Sequence, residues 1–131
     1  MAIQLAVSTR NGRLDSIETD IGTSPTLDIR TGAQPADCAA ADSGTLLATL
    51  PLPSDWMAAA AAGAKAKSGS WTVAASAAGT AAHFRIKTSG AVTKLQGSVG
   101  QGSGDLSLDN TNIASGQTVT VTAFTLTDGN A

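Results

Sequence analysis

Short strand-like segments separated by turn residues fill most of this chain, and they constrain its fold more than any other feature. Between residues 26 and 126, stretches of about five to ten residues are rich in β-forming or alternating apolar and polar side chains. Glycine, proline, asparagine and serine, which favour turns, stand between these stretches. The pattern predicts an all-β fold. We expect a β-sandwich or a jelly-roll-like barrel of about seven or eight short strands.

The clearest strand covers residues 81–88, in which apolar and polar residues alternate. Its apolar members are Ala82, Phe84 and Ile86, and its polar members are His83, Arg85 and Lys87. Such alternation predicts one sheet face packed on the core and the opposite face in water. Ser89 and Gly90 then signal a tight turn, so residues 91–97 are the natural returning strand of a hairpin.

The last predicted strand, residues 117–126, is the longest, but its apolar residues do not share one face. Val119, Val121 and Ala123 have one parity, whereas Phe124 and Leu126 have the other. A flat strand cannot bury both sets on the same side. Either a β-bulge near Ala123 switches the faces, or the strand is covered on both sides. The second arrangement would suit a protein whose outer face meets a neighbouring molecule.

The first residues of the chain have a helical pattern instead. One stripe recurs at about 3.6 residues per turn, and it consists of Ile3, Val7, Arg10, Leu14, Ile17 and Ile21. Gly22 is well placed to end the helix. We therefore divide the chain into an N-terminal helical arm, residues 1–22, and a β-sandwich domain, residues 23–131. The stripe packs either on its own domain or on another subunit.

Two further stretches have no clear strand pattern. In residues 54–62, Ser54 can cap a helix and strong helix formers follow it, but a loop-like segment comes next. This stretch is either one or two helical turns or an irregular segment. Residues 33–44 are small and polar, which predicts a loop, and they contain Cys38.

Charge and cysteine content exclude several classes of protein. Charged residues make up 14% of the chain and the formal net charge is −2, so the clustered lysine and arginine of a nucleic-acid binder are absent. Cys38 has no partner for a disulfide. No stretch approaches the ~20 apolar residues that span a bilayer, and the first residues do not resemble a signal peptide. We expect a protein made and kept in a cytoplasm, or built into something assembled there, that binds neither nucleic acid nor membrane.

The residues that could carry chemistry are too few and too scattered for an enzyme. His83 lies on the polar side of a strand, where solvation is the expected role. Cys38 and His83 are the only soft metal ligands in the sequence, whereas a structural zinc site needs four. The glycines of residues 100–104 lack the lysine and serine or threonine of a phosphate loop. We predict no catalytic residues, no cofactor and no metal.

Two lysines and two tryptophans have alternative roles. Lys65 and Lys67 form a small basic spot that we expect to be solvated. Trp56 and Trp71 could stack on a sugar, but buried packing anchors are the preferred interpretation.

Several segments resemble a family of small proteins encoded among the virion genes of tailed bacteriophages and prophages. The resemblance covers nearly the whole chain, and its segments are residues 8–11 with Leu14, 27–35, 44–50, 79–86 and 124–131. These motifs are structural rather than chemical. They imply a virion component assembled in the bacterial host, without catalytic residues.

Small β-rich virion proteins of this kind resemble head decoration, or cement, proteins. The resemblance implies contacts with the major capsid protein or other virion proteins and a homo-oligomer, either a dimer or a trimer. We predict that the helical arm and an intersubunit strand over residues 118–126 make these contacts, through Ile3, Val7, Leu14, Ile17, Ile21, Val119, Val121, Phe124 and Leu126. The alternatives are a tail, neck or fibre-base component and a glycan- or receptor-binding module.

Overall fold

The computed structural model describes residues 3–129 and shows a sheet-rich protein with one N-terminal helix. The helix is α1 (Val7–Ile21). The strands are β1 (Thr26–Arg30), β2 (Leu46–Pro51), β3 (Ala64–Ala66), β4 (Thr72–Ala74), β5 (Gly79–Thr80), β6 (His83–Lys87), β7 (Thr93–Gly100), β8 (Leu106–Leu108), β9 (Asn112–Ile113) and β10 (Thr118–Thr127). The predicted all-β fold with an N-terminal helix is confirmed.

Seven strands follow one another in a single sheet that curls into a half-barrel, in the order β2, β1, β6, β7, β8, β10 and β3. β4 also pairs with β10, and β5 and β9 form a separate two-stranded sheet. In the described chain β7 and β8 pair in parallel, whereas the other neighbours are antiparallel. Ser76, just after β4, donates its backbone N–H to the carbonyl of Leu47 in β2. The two ends of the curled sheet therefore approach each other.

Two predictions about strand geometry are confirmed. β6 and β7 form an antiparallel hairpin, in which Phe84 faces Gly97 and Ile86 faces Leu95. In β10 the register against β8 shifts between Val121 and Ala123, which is the bulge, the first of the two arrangements that the change of parity allowed. Val121 and Phe124 are three positions apart, so a regular strand would place them on opposite faces. The bulge lets both side chains reach the core.

The core fills the concave side of the curled sheet, and its largest members are aromatic. Trp71 lies between Trp56 and Phe124, with ring centroids 6.1 and 5.6 Å away, and Phe124 meets the edge of Phe84 at 5.6 Å. Each tryptophan indole N–H donates to a backbone carbonyl, that of Gly22 for Trp56 and that of Ser68 for Trp71. Both tryptophans are fully buried, so their predicted role as packing anchors is confirmed.

The helix is shorter than the predicted residues 1–22. It begins at Val7, because Ala6 is extended while its carbonyl already accepts the first helical hydrogen bond, from the Arg10 N–H. It ends at Gly22, whose positive φ and N–H bond to the Glu18 carbonyl close the last turn. Ile21 belongs to the core of the β-domain, so the helix packs on its own sheet. The outermost residues of the two predicted units, 1–2 and 130–131, lie outside the described residues.

Residues 54–62 form an irregular segment, the second of the two predicted possibilities. Their backbone pairs with the chain that follows: Ala58 donates to Ala66, and Ala61 and Ala64 exchange hydrogen bonds. Gly63, with φ +74°, makes the reversal possible. The pairing turns a stretch predicted as loop into β3, since β10 supplies the second neighbour.

Candidate functional site

The predicted interface residues of the helical arm fall into two groups. Leu14 and Ile21 are buried and Ile17 is partly buried, all against the chain's own β-domain. Ile3 is 79% exposed and Val7 is 48% exposed. The prediction that Leu14 and Ile21 contact another subunit is therefore wrong, because their apolar surface is already covered. Ile3 and Val7 stay available.

The predicted interface residues of β10 are mostly buried as well. Val119, Val121 and Phe124 lie in the core, and Leu126 is partly buried against it. Over residues 118–124, β8 pairs with one edge of the strand, while β4 and the segment joining β3 to β4 follow the other. A partner strand cannot add to this part of β10, so the prediction of an intersubunit strand along residues 118–126 is wrong for most of its length.

The polar face of β6 is buried, which contradicts the prediction that His83 and Arg85 are solvated. Both side chains are 1% exposed. The 31–45 loop covers them: its ends meet where Thr31 donates its backbone N–H to the Thr45 carbonyl and the Thr45 N–H donates to the Thr31 hydroxyl. The loop folds back over the outer face of the sheet and makes a second, polar packing layer there.

Arg85 holds the 31–45 loop against the sheet. Its guanidinium donates to the backbone carbonyls of Asp37, Cys38 and Ala40 at 3.0–3.2 Å, and to the Asp42 carboxylate at 2.6 Å. Its Nε donates to Gln96 of β7 at 3.1 Å. The planar guanidinium therefore uses its donors to connect β6 and β7 with three backbone carbonyls and one carboxylate of the loop, a geometry that lysine cannot reproduce.

A small ion-pair network continues from Arg85 across the sheet. Asp42 lies 2.6 Å from the Lys87 ammonium and 3.2 Å from Arg30, and the buried Asp28 lies 3.2 Å from Lys87. The hydrogen bond from Lys87 and that from Arg85 outweigh partial burial and lower the pKa of Asp42 to about 2. The charges of this face are thus paired with one another.

His83 lies under the same loop. Its Nδ1 donates to the carbonyl of Gly32 at 2.9 Å, which fixes the ring against the loop's first turn. Its Nε2 is buried and has no hydrogen-bond partner among the described residues. The ring therefore belongs to the packing between β6 and the loop.

Lys65 is buried too, which contradicts the prediction that it belongs to a solvated basic spot. Its ammonium lies 2.7 Å from Asp15 and 2.7 Å from Glu18, both on α1, and donates to the Ala58 carbonyl at 2.9 Å. Burial alone would lower the pKa of Lys65, but the hydrogen bonds from its ammonium to the two carboxylates raise it above its usual value. The same ammonium lowers the pKa of Asp15. Lys65 therefore fastens the helix to β3.

The other candidate groups do not assemble into a chemical centre. Within residues 3–129, no three His, Cys, Asp or Glu side chains lie close enough together to hold a metal ion. Cys38 is half-buried and its backbone carbonyl, not its thiol, contacts Arg85. The four aromatic side chains are all buried, so the alternative in which Trp56 or Trp71 stacks on a sugar is wrong. In the described part of the chain, no helix is both long enough and apolar enough to cross a membrane.

A gap in the sheet between β7 and β10 is the feature that the sequence did not predict. β8 lies between these strands but has three residues, and it pairs with the last two residues of β7. β10 continues beyond its last pair with β8 for Thr125–Thr127, where no strand within residues 3–129 pairs with the β8 side of β10. We call this gap the β7–β10 notch. It is a cleft of about 510 Å³ with Phe84, Leu95, Phe124 and Leu126 among its lining residues.

The sequence contained a signal for the notch. The predicted strand at residues 105–109 is short, whereas the strand that follows it is twice as long. A short strand between two long ones leaves part of both neighbours unpaired.

Comparisons with known proteins add no relative. No protein-family model, curated protein or solved structure matches this chain.

Proposed function

We propose that this chain is a structural protein of a tailed bacteriophage particle, and specifically a capsid decoration protein that joins neighbouring capsid subunits. The sequence resemblance to small virion proteins supports this role, and so does the β-rich fold. The observation that carries the proposal is the position of the exposed large apolar residues. Among the described residues these are Ile3, Val7 and Val92, and two of them lie at the N-terminal end of the chain: Ile3 before α1 and Val7 as its first residue.

Exposed apolar side chains on a segment outside the core are suited to contact with another subunit. Covering Ile3 and Val7 would remove apolar area from water at about 25 cal/mol per Å². One such contact is weak. On a capsid, however, the same contact recurs at every equivalent position, and several contacts made by one oligomer strengthen each other through effective concentration.

The interior of the fold suits a passive role of this kind. Arg85 and Lys65 use their charges to hold the loop and the helix in place. The charged groups at these two places therefore serve the stability of the fold, which leaves binding to the apolar segment.

Quantitative mass spectrometry of purified particles from the phage that encodes this chain tests the proposal. A decoration protein occupies a repeating lattice, so we expect on the order of hundreds of copies per particle. A count in the tens or below would contradict decoration and favour a tail, neck or fibre-base component. Absence from the particle would refute the virion role altogether.

A binding assay separates the head from the tail. Purified chain is added to empty heads and, as a matched control, to isolated tails of the same phage, and each mixture is separated by sedimentation. We expect saturable binding to heads alone. Binding to tails alone would overturn the decoration role.

A further inference from the structure

We propose that the 31–45 loop opens on acidification and that protonation of His83 causes the opening. With a neutral imidazole the loop lies closed over the outer face of β6. With a charged imidazole the loop moves away from this face, while the rest of the sheet stays folded. The inference concerns a conformational switch and does not depend on the proposed virion role.

The 31–45 loop is attached to the sheet by polar contacts. Within the described chain, no residue from 32 to 44 belongs to the hydrophobic core. Arg85 binds the middle of the loop through four hydrogen bonds, and Gln96 of β7 donates to the Pro35 carbonyl at 2.9 Å. Because the apolar core lies on the other face of the sheet, the loop can detach at a smaller cost in free energy than global unfolding.

The closed loop fits a neutral imidazole. The Gly32 carbonyl can only accept a hydrogen bond, so Nδ1 of His83 carries the proton of the ring and Nε2 remains an acceptor. Nε2 is buried and has no donor among the described residues. Protonation would turn Nε2 into a second donor and give the ring a positive charge. A buried charged donor without an acceptor costs more free energy than a buried lone pair without a donor.

The side chains beside His83 offer no ready acceptor for a second N–H. Arg30 is its register partner in β1, and Arg30 Nε is itself buried without a partner in the described part of the chain. Ser98 is its register partner in β7, and the Ser98 hydroxyl donates to the Asp105 carboxylate and accepts the Asp105 N–H. Acceptors are therefore already scarce in this layer.

The charged groups on the same face are predominantly positive. They are Asp28 and Arg30 from β1, Arg85 and Lys87 from β6, and Asp42 from the loop. The Asp42 carboxylate is 2.6 Å from both Arg85 and Lys87, and 3.2 Å from Arg30. The Asp28 carboxylate is 3.2 Å from Lys87. Three cations thus share two carboxylates, and a charged imidazole would add a fourth cation that meets net repulsion.

Three further titratable side chains lie in the loop or beside β7. Asp37 of the loop accepts two backbone N–H groups of its own turn. Asp105 accepts the N–H and the hydroxyl of Ser98. Cys38, in the loop, is half-buried. The carboxylates of Asp37 and Asp105 are thus engaged by other donors, which leaves the charge balance around the imidazole unchanged.

Acidification therefore favours the open loop. Once the loop is open, water can solvate the charged ring and both of its N–H groups, so the open state binds the proton more readily than the closed state. By linkage, the ratio of open to closed molecules rises as the pH falls, by at most about tenfold per pH unit for one proton. Histidine is the side chain that ordinarily changes charge between about pH 5 and pH 8. The pKa of Asp42 is about 2, so Asp42 stays ionised over this range.

Amide hydrogen exchange of the full-length chain between about pH 8 and pH 5 tests the opening. The reporters are the N–H groups of Thr31 at the base of the loop and Ala40 in its middle, which both have acceptors in the closed loop. After correction for the pH dependence of exchange in an unstructured peptide, their protection should fall about tenfold over this range. Protection of Val121 in β10, which bonds to the Trp71 carbonyl, should stay constant. An equal loss at Val121 would indicate global unfolding and refute local opening.

Two variants separate the imidazole from the other contacts of the loop. His83→Asn keeps a side-chain donor for the Gly32 carbonyl but cannot take up a proton, so loop protection should no longer depend on pH. The matched control is Asp42→Asn, which weakens the attachment of the same loop and keeps the imidazole. Its loop protection should be lower at every pH, with the same pH dependence as in the wild type. Equal pH dependence in the wild type and in His83→Asn would overturn the proposal.

The wild type provides a second test in case His83→Asn does not fold. The chain has a single histidine, so the ring signals in a proton NMR spectrum belong to His83 without further assignment. Molecules with a protected loop should show the signals of a neutral imidazole over the whole pH range. A charged ring under a loop that keeps its protection would refute the proposal, and so would loop protection that is constant from about pH 8 to pH 5.

Discussion

Replacing Arg85 with methionine tests whether this side chain holds the 31–45 loop in place. Methionine keeps an unbranched apolar stem in the buried position and removes the guanidinium. Without it, the carbonyls of Asp37, Cys38 and Ala40 lose their donor, and Asp42 loses its shortest arginine contact.

The contacts of Arg85 set the expected loss of stability. A buried acceptor left without a donor costs about 1–3 kcal/mol, and breaking a buried ion pair costs about 3–5 kcal/mol. Two features reduce the sum. Water can reach the carbonyls once the side chain is gone, because the loop is largely exposed, and Asp42 keeps Lys87 and Arg30. We expect a loss of about 3 kcal/mol, a large fraction of the 5–15 kcal/mol of a small domain.

Urea unfolding followed by tryptophan fluorescence measures this loss. With a slope of about 2 kcal/mol per M, the midpoint should fall by about 1.5 M. The control is Lys94→Met, which breaks an exposed ion pair to Asp20 and should change stability by less than about 1 kcal/mol. Equal midpoints for the two variants would refute the role assigned to Arg85. Faster amide exchange confined to the loop, at an unchanged midpoint, would show that the loop detaches without unfolding the sheet.

Three further predictions follow from the other contacts. The folded pKa of Asp42 is about 2, below its ordinary 3.8, so its stabilisation is complete above pH 4–5 and is lost as the pH falls towards 2. Because the carboxylate is about one-third exposed, we expect the free energy of unfolding to fall by about 1–2 kcal/mol over this pH range. Urea midpoints measured at several pH values should show this loss. Asp42→Asn should remove this part of the pH dependence. Lys65→Met should cost about 1–3 kcal/mol, since Asp15 and Glu18 lose their partner but keep access to water; a midpoint within 0.2 M of wild type would contradict this. Acrylamide and added sugars should quench the fluorescence of Trp56 and Trp71 weakly in the folded state, because both rings are buried; strong quenching by a sugar would revive the glycan-binding alternative.

The sequence predicted the features that depend on local periodicity. Strict alternation and a Ser-Gly turn were enough to identify the β6–β7 hairpin, since both signals lie within the pair itself. The change of parity between Ala123 and Phe124 left a bulge or a strand covered on both sides as the alternatives, and the register of β10 against β8 shows the bulge. Gly22 marked the end of α1 because a positive φ is required there.

The predictions that failed depended on contacts between distant segments. Arg85 was assigned to solvent because alternation identifies the face opposite the core, but a loop more than 40 residues away covers that face. Lys65 was assigned to solvent because it lies with Lys67 in a loop-like segment, but its partners Asp15 and Glu18 lie 50 and 47 residues earlier. Local pattern cannot tell a polar face in water from one under a second layer. Leu14 and Ile21 were predicted to contact another subunit because the apolar stripe of a helix does not show which molecule covers it.

The recognition of the 31–45 loop by Arg85 has a consequence for sequence variation. The guanidinium binds the carbonyls of Asp37, Cys38 and Ala40, and the carbonyl group is common to every amino acid. The path of the backbone matters to this contact, whereas the side chains at those three positions do not take part in it. The Asp37 carboxylate also shapes the turn, because it accepts the N–H groups of Ala39 and Ala40. Related chains can therefore diverge at positions 38 and 40 without removing a contact to Arg85, and an engineered version can present foreign residues at these two positions on the outside of an intact sheet.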